Sequence, residues 1–165
     1  MAATNFSATP NGSILIACIL LPLNTAQIEM LEPVAKASEK QVRSMVKSRQ
    51  SEWTFMPFGL WQYRCGNDDL AIQWCQRALA QSQKFPSCEA ALHATLAMVY
   101  FDQGQTNEAG AELAQARQLV DAKFKSGLDH GRAGIGFWFD WIYARHLLQE
   151  ASALIDRDSA QPATE

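Results

Sequence analysis

The feature that most limits how this chain can fold is an internal recurrence. Residues 66–78 read Gly-Asn-Asp-Asp-Leu-Ala-Ile-Gln-Trp-Cys-Gln-Arg-Ala, and residues 104–116 read Gly-Gln-Thr-Asn-Glu-Ala-Gly-Ala-Glu-Leu-Ala-Gln-Ala. Glycine, first alanine and second alanine each return after 38 residues, from Gly66 to Gly104, Ala71 to Ala109 and Ala78 to Ala116. Large apolar residues precede each glycine: Phe58, Leu60 and Trp61 in one copy, Leu96, Met98 and Val99 in the other. Helix-forming residues follow each glycine, with the two alanines on one face. The pattern predicts a helix, a tight turn at glycine, and a second helix lying close on the first. Such a unit leaves an apolar face for a neighbour to cover, so its repetition implies an array.

These residues resemble the tetratricopeptide repeat. That family's pattern is a bulky residue, two spacers, Leu-Gly, two spacers and Tyr, then Ala, three spacers and Phe. The first copy supplies Phe55, Phe58-Gly59, Gln62, Ala71, Cys75 and Ala78; the second supplies His93, Leu96-Ala97, Tyr100, Ala109, Leu113 and Ala116. There are departures. Gln62 replaces the tyrosine, with Tyr63 adjacent, and His93 holds a bulky apolar slot. Neither copy ends on the family's proline, and the period exceeds the usual 34 or so. The resemblance covers residues 52–123 and implies an all-α fold, with antiparallel helix pairs stacked as an α-solenoid of about seven helices.

It also implies a function: a non-catalytic protein–protein interaction module, with no cofactor. The first helices of such repeats line a concave groove. The groove residues implied here are Trp53, Met56, Leu60, Tyr63 and Arg64, then Ala91, Ala94, Met98, Phe101 and Asp102. The Lys, Asn and Arg clamp by which some members hold a C-terminal carboxylate is missing. The implied partner is therefore an amphipathic helix or hydrophobic tail of a protein or peptide, with Tyr63 and Phe101 as anchors and Arg64 orienting it. Self-association is the second option. The plainer alternative is that the protein covers several of these side chains itself.

Composition narrows the classes. The 165 residues, 48% hydrophobic and 19% charged, suit one folded domain rather than a disordered chain. A net charge of −3 without a Lys and Arg cluster gives no reason to expect nucleic acid. Cys18, Cys65, Cys75 and Cys88 include no Cys-x-x-Cys pair, so neither zinc nor a disulfide framework is expected, and the compartment reads as reducing and cytoplasmic. The apolar run 14–23 hints at a secretory signal, but no basic residue precedes it, the first being Lys36. It is also too short to span a bilayer, so a buried helix is the expected reading and no membrane partner is foreseen.

Taken in order, residues 1–12 read as a flexible N-terminus and 13–156 as one helical domain. Within it, 13–49 form an N-terminal helical pair, with a capping box at Asn24 and Gln27 and with Pro33 kinking or starting the second helix. Lys36, Lys40, Arg43 and Lys47 form a basic face, read as a solvated surface. Repeat 1 spans 52–85, with helices at 52–63 and 68–83, and repeat 2 spans 88–125, with helices at 88–102 and 107–125. A terminal helix within 134–156 caps the array, and 157–165 read as a disordered tail.

The remaining motifs carry little chemistry. Gly127, Gly131, Gly134 and Gly136 lack phosphate-loop order and read as a connection. His93, His130 and His146 show no metal-ligand spacing, and His146 with Glu150 reads as a surface pair. Two other classes stay open: a helical small-ligand sensor beneath the final helix, and a small enzyme built on His130 or a cysteine.

Overall fold

The computed structural model describes residues 12–45, 51–81, 85–127 and 138–159. Among these there are seven helices and no strand. They are α1 (Gly12–Ile19), α2 (Thr25–Ser44), α3 (Glu52–Arg64), α4 (Asp68–Leu79), α5 (Pro86–Asp102), α6 (Thr106–Ser126) and α7 (Trp138–Ser159).

Local chemistry accounts for most of their ends. At the start of α2, the Gln27 amide donates to Asn24 Oδ1 at 3.0 Å and the Asn24 amide donates to Gln27 Oε1 at 2.9 Å. That is the expected capping box, and it satisfies two N-terminal amides. Pro33 lies inside α2 without ending it. Pro86 opens α5 at a position where its missing N–H costs nothing. Lys123 and Lys125 sit in the last turn of α6, against the negative end of its dipole.

The two recurring glycines close two matching turns. Gly66 and Gly104 both adopt φ +71°, a left-handed conformation that favours glycine. The Gly66 amide donates to the Tyr63 carbonyl at 2.9 Å and the Asn67 amide to that of Gln62 at 2.9 Å. In the second turn Gly104 donates to Phe101 at 2.9 Å and Gln105 to Tyr100 at 2.8 Å. Both are Schellman turns, in register 38 residues apart. The helices they join also pair in register. Phe55 of α3 stacks on Trp74 of α4, ring centroids 6.0 Å apart, and at the equivalent positions His93 of α5 faces Glu112 of α6.

Close packing follows the small residues. Ala71, Ala78, Ala109 and Ala116 are all fully buried. At Gly59 a β-carbon would clash with Cys75 Sγ, so with this cysteine in place glycine suits the close approach of α3 and α4. The central helix is α5, which packs on α3, α4, α6 and α7 and is apolar on nearly every side. Glu52 ties its start to that of α3: the buried carboxylate accepts from the Phe85 amide at 2.7 Å. Outside this centre, α1 packs on α2 and α3, and α7 on α5 and α6.

Two expected boundaries need correction. The helix expected at 68–83 ends at Leu79, and residues 82–84 lie outside the described set. The terminal helix runs on to Ser159, into the stretch expected to be a disordered tail. Arg117 of α6 donates to Ser152 at 3.0 Å and pairs with Asp156, which ties this last part of α7 to the preceding helix. Of the flexible terminus expected at 1–12, Gly12 instead opens α1. Residues 1–11, Lys47 of the basic face, and the glycines between 128 and 137 lie outside the described residues.

Candidate interaction surface

The stripe expected to line an open groove is largely filled. Met56 is 1% exposed, and Leu60, Met98, Ala91 and Ala94 are fully buried. Burial corrects their role: these side chains are core, because α1 covers part of α3 and α7 covers part of α5. Trp53, Tyr63 and Phe101 are partly buried, and Asp102 is exposed.

Arg64, expected to orient a partner, is engaged within the chain instead. Its side chain is 4% exposed and holds both carboxylate oxygens of Glu150 on α7, at 2.5 and 2.7 Å. Two further donations, at 3.1 and 3.0 Å, go to the carbonyls of Ile19 and Leu20 at the end of α1. Glu150 therefore faces Arg64, not His146 as the sequence spacing suggested.

What stays accessible is the end of the helix pair, where α3 and α5 finish. The Tyr63 hydroxyl and the Asp102 carboxylate, at the ends of α3 and α5, influence each other's protonation. Burial pushes the Tyr63 hydroxyl up, and the negative charges of Asp102 and Glu150 push it the same way against the opposing Arg64. Although Asp102 is exposed as a whole residue, partial shielding of its carboxyl raises it from the ordinary value, with Asp68 adding to the shift and Tyr63 working against it. Asp68 is raised by burial and by its neighbour Asp69. The Gln103 amide donates to Asp69 at 3.3 Å and so links the two turns. Together Gly66, Asn67, Asp68, Asp69, Leu70 and Gln103 line an open depression of about 460 Å³.

The rim therefore combines Tyr63, Phe101 and Asp102, all expected from the sequence, with two carboxylates that were not, Asp68 and Asp69. Asp68 and Asp69 read simply as helix starters, favourable at the dipole's positive end. No pattern along the chain marks them as neighbours of Asp102.

The groups considered for catalysis are placed otherwise. Burial pushes the thiols of Cys75 and Cys88 far up, which keeps them protonated and poorly nucleophilic. Burial also raises the Cys65 thiol. All four cysteines are free. His93 is engaged by Glu112, and His130 lies outside the described residues. Among the described residues no cluster of His, Cys, Asp and Glu is arranged to hold a metal ion. No helix among them is long and apolar enough to cross a membrane.

Comparison with models of known protein families, with curated proteins and with solved structures returned no match.

Proposed function

We propose that the chain is a tetratricopeptide-type interaction module, its helix pairs stacked as an α-solenoid, which holds a protein or peptide partner without catalysis. The observation that carries this reading is the register of the two hairpins. Turn geometry, glycine conformation and the cross-helix pairs all repeat at one 38-residue offset. Modules built this way act through surface, because each unit spends its interior on packing its neighbours.

The binding surface in this reading is the rim, not the filled stripe. Tyr63 and Phe101 offer aromatic area, and Asp102, Asp68 and Asp69 surround it with negative charge. The Asp102 and Asp68 carboxyls, already raised by burial and neighbouring negative charge, gain from a nearby cation. The partner segment therefore carries Lys or Arg beside an apolar residue.

The test is affinity purification with the full chain, comparing wild type with the Phe101→Ala, Asp102→Asn double variant by mass spectrometry of retained proteins. A partner lost by the variant, and weakened in wild type by added salt, supports the rim. Helix content should match between the two proteins, and the variant should still melt in one cooperative transition. Equal retention by a folded variant would rule the rim out.

A further inference from the structure

We infer that Arg64 is a latch coupling the first and last described helices, so that α1 and α7 loosen together. The two helices have separate neighbours: α1 packs on α2 and α3, and α7 on α5 and α6. One guanidinium joins them. Its Nε and Nη2 donate to the carbonyls of Ile19 and Leu20, while Nη1 and Nη2 donate to the two oxygens of Glu150.

The chemistry makes the two halves interdependent. A helix leaves its last carbonyls without internal donors, and at α1 Arg64 supplies them. The planar fork can do so only while it is held in place, and the Glu150 carboxylate both fixes its plane and neutralises its charge. With that carboxylate gone, the buried cation is drawn toward water and the α1 carbonyls lose their donors. An eight-residue helix is too short to persist without such support. Release of α1 would uncover apolar surface on α3, which makes access to that helix depend on the state of α7. The coupling itself does not rest on the interaction role proposed above.

Hydrogen exchange on the full chain tests the latch. Glu150→Gln keeps the shape of the side chain and removes its charge. It should speed exchange of the α1 amides roughly tenfold or more, the scale of one charged hydrogen bond, while α4 and α5 stay protected. Arg117→Ala is the control, because it removes the other tether of α7 and leaves Arg64 intact. It should speed exchange near the end of α7 and leave α1 unchanged. Coupling is reciprocal, so unfolding α1 with Ala17→Pro, at an exposed position, should speed exchange around Glu150 but not in α6.

Unchanged exchange in α1 for Glu150→Gln overturns the proposal. Equal loosening of α1 by Arg117→Ala overturns it too, since the coupling would then run through α7 as a whole. Should Glu150→Gln not fold, Ala17→Pro decides the matter from the other end.

Discussion

The two hairpins share one backbone plan and fill it with different chemistry. In the first, Phe55 stacks on Trp74; in the second, the equivalent positions hold His93 and Glu112, joined by a hydrogen bond. Surroundings explain the difference. Trp74 is 7% exposed, with Arg43 from α2 and Arg77 over its ring at 5.5 and 5.4 Å. The side chains of His93 and Glu112 remain 21% and 25% exposed, so a polar pair there keeps part of its hydration. Arg64 and Asp102 form a second equivalent pair with opposite fates: the first lies between α1 and α7, the second opens to solvent. The lesson is that register decides which residues meet, while coverage decides what they must be.

The largest expected effect breaks this comparison at Arg64. Arg64→Ala leaves Glu150 and two helix carbonyls without their donor and should cost about 3–5 kcal/mol. Asp102→Ala, at the equivalent exposed position, should change stability by about 0.5 kcal/mol or less. Urea denaturation of both variants measures the contrast, and similar losses would mean that the fold depends on Asp102 no less than on Arg64.

Nearly as large is the contrast within the cross-helix pairs. Trp74→Ala should cost about 3–5 kcal/mol as a deleted core aromatic. Glu112→Ala removes half of a partly exposed pair and should cost about 1 kcal/mol or less. Thermal melts of the two proteins would show the first well below the second. A reversed order would mean that the polar pair, not the aromatic one, holds its hairpin.

Gly59 sharpens the comparison further, because Ala97 stands at its equivalent in the second hairpin. Gly59→Ala drives a methyl group against Cys75 and should cost about 1–3 kcal/mol. Adding Cys75→Ala should recover much of that loss. If the double variant is no better than the single one, the strain lies in the backbone of α4, whose Cys75 amide stands 3.4 Å from the same point.

The turns should respond alike. Gly66→Ala and Gly104→Ala each place a side chain at φ +71° in open space, and each should cost about 1–2 kcal/mol. Clearly unequal losses would show that the two turns differ in more than their flanks.

The smallest effect is one of pH. The Asp102 carboxyl is raised in the folded protein, mainly by burial and then by Asp68. A raised folded value means that this group adds stability below the unfolded carboxylate range and loses that contribution as pH rises through the folded one. Asp102→Asn should therefore melt slightly above wild type at neutral pH. The gain should fade as the pH falls through the ordinary carboxylate range. A gain that persists in acid would point to a cause other than charge.

What could be read along the chain was whatever is decided within a turn or two of helix. The capping box at Asn24 and Gln27, the turns at Gly66 and Gly104, and the close-packed Ala71 and Ala109 all rest on neighbours near in sequence. The helix expected at 107–125 is observed as Thr106–Ser126 for the same reason. Helical period also placed Met56, Leu60, Met98, Tyr63 and Phe101 on related faces. It could not say which of those faces would be covered.

That was decided by contacts between distant parts of the chain. Arg64 and Glu150 stand 86 positions apart, and Arg64 meets the carbonyl of Ile19 across 45. The tertiary structure brings α1 and α7 onto the central helices, turning Met56, Leu60 and Met98 into core and Arg64 into a clamp. It leaves Tyr63, Phe101 and Asp102 at the rim. Periodicity is a local property of the backbone, so it identifies a face. Coverage depends on where remote helices dock, and only the folded chain carries that information.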